Sequence, residues 1–113
     1  MVHRALEAAE KLALEGISVE VVDLRTLKPL DMGTVAASVR KTGRVVGLTE
    51  GYKTGSFISE LAMRIQEELF DWLDAPIVRV CAADVPVPMS DPLEDAAIPN
   101  VARIIAGIRQ ALA

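Results

Sequence analysis

The apolar residues of this chain change period again and again, and each change is marked by a glycine, a proline or a polar turn. Val2, Leu6, Ala9, Leu12 and Ala13 recur at helical spacing, with Glu7, Glu10, Lys11 and Glu15 between them and Gly16 placed to end the helix. Ile17–Asp23 then alternates and is rich in β-branched residues, which reads as a strand. After a connection over Leu24–Leu30, Asp31 is placed to cap a helix that runs through Thr42 on a stripe of Met32, Val35, Ala36 and Val39 and stops at Gly43. Arg44–Thr49 is a short apolar strand. A long helix is expected from about Ser56 to about Leu73, with Ile58, Leu61, Ala62, Ile65 and Leu69 inward and Asp74-Ala75-Pro76 to break it. Ile77–Cys81 is a third strand, and Asn100–Leu112 a last helix with Val101, Ile104, Ile105, Ile108 and Leu112 inward. Strands that alternate with helices require an α/β fold with a parallel sheet and right-handed crossovers. Three strands are few for four helices, so either the first helix packs on a sheet edge or a preceding strand is lacking.

The chain has 113 residues, the size of one domain, and 51% of them are apolar, enough for a core. The net charge of −4 disfavours a phosphate backbone as partner, so nucleic-acid binding is not expected. One cysteine, Cys81, allows neither an intrachain disulfide nor a cysteine-based zinc site, and its apolar run suggests a buried, inert thiol. No stretch reaches the roughly 20 apolar residues of a membrane span. Met1-Val2-His3-Arg4 leads straight into a polar-striped helix without a secretory leader, so a cytoplasmic domain is expected.

Few residues suggest chemistry. Gly51-Tyr52-Lys53-Thr54-Gly55-Ser56 follows a strand and opens a helix, where free N–H groups can hold an anion; the plainer reading is a helix-entry turn capped by Thr54 or Ser56. Asp23, Glu50 and Asp84 stand at strand ends, where ligands of open α/β sheets gather, but they lack the paired acids and trailing lysine of a phosphoryl-accepting receiver pocket. His3, the lone histidine, has no assignable partner for acid–base work. Trp72 is expected to pack in the core at the end of the long helix, with a contact role for it and Tyr52 as the other reading.

Four segments carry a resemblance. Val21-Val22-Asp23-Leu24-Arg25-Thr26-Leu27-Lys28-Pro29-Leu30-Asp31, Ser38-Val39-Arg40-Lys41-Thr42-Gly43-Arg44, Phe70-Asp71-Trp72-Leu73-Asp74-Ala75-Pro76 and Asp84-Val85-Pro86-Val87-Pro88 resemble, in order and spacing, segments of the β subunits of thiamine-diphosphate-dependent 2-oxo acid dehydrogenases, the E1 components of pyruvate-dehydrogenase-type complexes of the pyruvate, acetoin or branched-chain kind. The resemblance implies a three-layer α/β/α domain of the transketolase C-terminal type over residues 1–113, mostly parallel, a fragment of a longer β subunit that lacks its first strands. In that frame a strand before Met1 lies between Ile17–Asp23 and Arg44–Thr49, and Arg44–Thr49 pairs in parallel with Ile77–Cys81. The parent reaction is oxidative decarboxylation of a 2-oxo acid with acyl transfer to lipoyl-E2. Thiamine diphosphate and Mg²⁺ serve it elsewhere, so this domain alone binds neither and has no catalytic, cofactor or metal residues. Its implied partners are the E1 α subunit, a second β subunit and the E2 acyltransferase, with no nucleic acid and no membrane. The segment 82–99, restricted by Pro86, Pro88, Pro92 and Pro99, is expected to meet a partner subunit through Val85, Val87 and Met89. Glu94, Asp95 and the chain end at Ala113 are expected to meet a basic E2 domain. The other readings are the same domain of a transketolase or of a 2-oxo acid:ferredoxin oxidoreductase, and a standalone anion-binding α/β module.

Overall fold

A computed structural model describes residues 1–24, 31–52, 54–82 and 99–113. Its elements are α1 (Val2–Ala13), α2 (Met32–Thr42), β1 (Val46–Tyr52), α3 (Phe57–Leu69) followed by a 3-10 turn (Phe70–Trp72), β2 (Val78–Ala82) and α4 (Val101–Leu112). Each helix start and stop has a local cause. The Asp31 carboxylate accepts from the Thr34 amide (3.1 Å) and hydroxyl (2.6 Å), and Asn100 Oδ1 accepts from the Arg103 amide (2.9 Å), which satisfies donors that a first turn leaves free. Gly43 closes α2 in the left-handed conformation (φ 72°), with its N–H on the Val39 carbonyl at 2.8 Å. A side chain there would be strained, and it would also run into the Asp74 carboxylate.

That contact helps align the sheet. The Asp74 amide donates to the Gly43 carbonyl (2.7 Å) and the Val78 amide to the Val45 carbonyl (3.1 Å), so the turns leading into β1 and β2 are tied together. The strands pair in parallel with Val46 opposite Val78 and Leu48 opposite Val80, and the register shifts between Leu48 and Tyr52. This is the β1–β2 pairing expected from sequence. Ile17–Asp23, expected as a strand, joins no ladder among the described residues; the sheet has two strands, β1 and β2. Its side chains still alternate, half-buried at Ile17, Val19 and Val21 and exposed at Ser18 and Glu20. The pattern of a strand is present and the neighbour it needs is not.

Helices cover both faces. On one, Val35, Val39, Ile58, Leu61, Ile65 and Leu69 of α2 and α3 enclose Cys81, with Val22 and Leu24 against them. On the other, Ala8 and Ile104 of α1 and α4 pack with Val80, with Val46 and Leu48 alongside. Adjacent residues Val80 and Cys81 thus face opposite layers, as a pleated strand requires. Two side chains turn out differently from the sequence reading. The inner edge of α1 is Ala8 and Leu12, while Val2 and Leu6 are exposed, because α4 meets α1 along its small-residue side. Trp72 is 51% exposed rather than in the core, since the helix ends at Leu69 and the 3-10 turn swings the indole outward, where the Arg40 guanidinium lies over its ring at 5.7 Å.

Candidate strand-acceptor groove and assembly surfaces

The directions of the helices define the site. Arg4 donates to the Pro99 carbonyl (2.7 Å) at one end of the α1–α4 pair, and Arg109 meets the Glu15 carboxylate at 2.7 and 2.9 Å at the other, so the two helices run side by side in the same sense. Arg44, just before β1, donates to the Ala111 carbonyl (2.6 Å) in the last turn of α4, where a helix terminus carries partial negative charge. Arg103, in the first turn of α4, donates to the Cys81 carbonyl (2.6 Å) near the end of β2. Hence α4, and α1 with it, runs opposite to the strands, and α1 begins at the carboxyl end of the sheet.

Between Ile17–Leu24 and β1 lies a groove of about 640 Å³. One wall is Ile17–Leu24 and the other is Val45–Glu50. Its floor comes from α2 and α3 through Val35, Val39, Ile58 and Leu61, and its roof from α1 and α4 through Val2, Ala5, Ile104 and Ile108. The groove therefore lies in the middle layer, with helices above and below. Glu20, Asp23, Arg44 and Glu50 are the charged residues that line it, and all but the half-buried Arg44 are exposed. The shortage of strands relative to helices was the sequence signal for this groove. The arginines that orient α1 and α4 gave no such signal, because their carbonyl partners are brought near only by the fold.

The residues singled out from sequence separate into groups. Asp23 and Glu50 line the same groove, while Asp84 lies outside the described residues. His3 is exposed on α1, and Cys81 is buried at 3%. The Gly51 amide donates to Thr49 Oγ1 (3.1 Å), so this N–H of the glycine-bracketed turn has an intramolecular acceptor; Lys53 lies outside the described residues. Ser56 stands at the N-cap of α3 without a side-chain cap bond, so its expected capping role is not realised. Val85, Val87, Met89, Glu94 and Asp95 lie outside the described residues, and Ala113 is exposed beyond α4. Among the described residues no group of three His, Cys, Asp or Glu is placed to hold a metal, and no helix is long and apolar enough to cross a membrane. The described residues thus offer no donor set that fits a Mg²⁺-diphosphate group.

A parallel sheet covered by helices on both faces, with a strand-wide opening in its middle layer, defines an open three-layer α/β domain. Residues 1–104 match the family model of the transketolase C-terminal domain, and the chain belongs to that family. It is 46% identical over 105 residues to the pyruvate dehydrogenase E1 component subunit beta of Rhizobium meliloti, covering 93% of this chain and 23% of that protein. It is 47% identical over 111 residues to the mitochondrial subunit beta-1 of Arabidopsis thaliana, covering 98% and 31%, and 47% identical over 112 residues to the acetoin:2,6-dichlorophenolindophenol oxidoreductase subunit beta of Cupriavidus necator, covering 99% and 33%. Among solved structures, a split-gene transketolase in an inactive beta4 tetramer superposes with a TM-score of 0.81 at 33% identity, over 98% of this chain and 35% of that one. The chain therefore spans about a quarter to a third of the length of these relatives.

Proposed function

We propose that the chain is the C-terminal domain of the β subunit of a thiamine-diphosphate-dependent E1 component, and that it serves subunit assembly and E2 docking in oxidative decarboxylation of pyruvate. The observation that carries this reading is identity of 46–47% to E1 β subunits across nearly the whole chain, which includes the four segments noted in the sequence. The fold supports a non-catalytic part in the reaction: its hydrogen-bonded arginines tie elements together, and its groove is walled by peptide backbone and apolar side chains. Thiamine diphosphate supplies the decarboxylation chemistry in the parent enzyme. No step at it is assigned to residues of this chain.

The partners in this proposal are an E1 α subunit, a second β subunit and an E2 acyltransferase, with Val85, Val87 and Met89 toward a neighbouring subunit and Glu94, Asp95 and Ala113 toward E2. A cytoplasmic location belongs to the same reading, and cell fractionation tests it. The test of function is reconstitution. The full-length β subunit that contains this domain is mixed with its α subunit, thiamine diphosphate and Mg²⁺, and decarboxylation of pyruvate is followed. Loss of the heterotetramer on removal of this domain, together with loss of turnover, is the expected outcome. An active tetramer without it refutes the assembly role. The match to an acetoin oxidoreductase subunit favours acetoin as the second substrate to assay.

A further inference from the structure

We infer that the groove between Ile17–Leu24 and β1 is a binding site for one β-strand, parallel to β1 and apolar on both faces, and that backbone pairing and apolar contact suffice to hold it, so that the strand binds even when detached. The strand belongs to the polypeptide leading into Met1.

Three observations carry this. First, the walls are backbone. In β1 the Val45 carbonyl faces β2, where it accepts from the Val78 amide. Peptide groups alternate sides along a strand, so those of Val46 and Leu48 point into the groove. A row of peptide groups left unpaired inside a layered core is costly, and a strand is the occupant that satisfies two such rows at once. A small apolar ligand would leave both rows unpaired. Second, the lining sets the composition. Val39 and Ile58 lie on one side and Ile104 and Ile108 on the other, so alternation of polar and apolar residues would bury polar groups against one layer. The seven residues of β1 set the length, about 23 Å of extended chain. Third, the helices set the direction. The first turn of α1, with Met1, Val2 and Ala5, lines the groove at the carboxyl end of the sheet. A strand that leads directly into Met1 must end there, which makes it parallel to β1. The share of each relative that lies outside the matched region, about two thirds or more, is ample to provide it.

The test uses the 113-residue chain itself. The probe is a synthetic seven-residue peptide of Val, Ile and Ala with a lysine at each end for solubility. A second peptide of the same sequence has alternate amides N-methylated, which removes donors without changing side chains. Hydrogen exchange is read at the Val46 and Leu48 amides. The plain peptide at about ten times its Kd is expected to slow exchange roughly tenfold, by mass action. The N-methylated one is expected to have no effect, and fusing the plain sequence ahead of Met1 to give the protection without added peptide. Equal effects of the two peptides would overturn backbone recognition. Protection of those amides in the chain alone that grows with protein concentration would show that a second copy fills the groove and would overturn the assigned occupant. No change with the peptide or the fusion would overturn the site. None of these outcomes depends on thiamine diphosphate or on an E1 partner, so the reading of the parent enzyme stands or falls separately.

Discussion

Gly107 is where α4 sits down on the sheet, and Gly107→Ala should destabilise the domain although alanine is the better helix former. Gly107 is buried in the middle of α4, and a Cβ built there comes within 2.5 Å of Val80 Cγ2, with Val78 Cγ1 at 3.7 Å and Val46 Cγ1 at 3.8 Å. Relieving the closest contact requires Val80 to leave its rotamer or α4 to lift. Val80 is 6% exposed and is clustered with Ala8 and Ile104, so it has little room to turn. Overpacking of this kind costs about 1–3 kcal/mol. The gain from replacing glycine within a helix is about 1 kcal/mol. The difference is a net loss of up to about 2 kcal/mol, read by urea denaturation of the chain with an unchanged m-value. Val80→Ala alone should also destabilise, by removing two buried methyl groups. In the double variant the alanine at 107 has the space that Val80 vacated, so the two losses should fall short of their sum by about 1 kcal/mol or more. Additive losses, or a stabilised Gly107→Ala, would refute the close approach of α4 to β2.

Other positions give separate checks. Asn100→Ala removes the acceptor for the Arg103 amide and should cost about 1 kcal/mol in thermal or urea unfolding. The hydroxyl and then the amide of Thr34 hold the Asp31 carboxyl below its ordinary value of 3.8. The cap is therefore at full strength above that value and is lost as pH falls through the lowered one, so Tm should drop more steeply between about pH 5 and about pH 2 in the parent than in Asp31→Asn. Gly43→Ala should lower Tm, both through strain at φ 72° and by pressing on Asp74; an unchanged Tm would contradict the left-handed cap. Cys81 should react with a thiol reagent only at the rate at which the domain opens, and fully in urea; rapid labelling in buffer would contradict its burial.

Local chemistry made much of this domain readable in advance. Asp31 with Thr34, Gly43 after Thr42, and the apolar spacing of Ile58, Leu61, Ile65 and Leu69 act within a few residues, so the capped helices and their inward stripes follow from the chain alone. The motifs that place it beside E1 β subunits are equally local. Ile17–Asp23 marks the limit. Its alternation gives a strand's pattern of burial, yet a strand exists only when a neighbour supplies the other half of each hydrogen bond, and that is a property of what lies beside it. Trp72 shows the same dependence, since two turns of chain decide whether an indole points inward or lies exposed under Arg40. Tertiary structure alone decided that Arg4, Arg44 and Arg103 would find carbonyls far along the chain, that α1 and α4 would therefore run together, and that an apolar groove would open beside β1. Those are long-range meetings of backbone with side chain, and spacing along the sequence does not encode them.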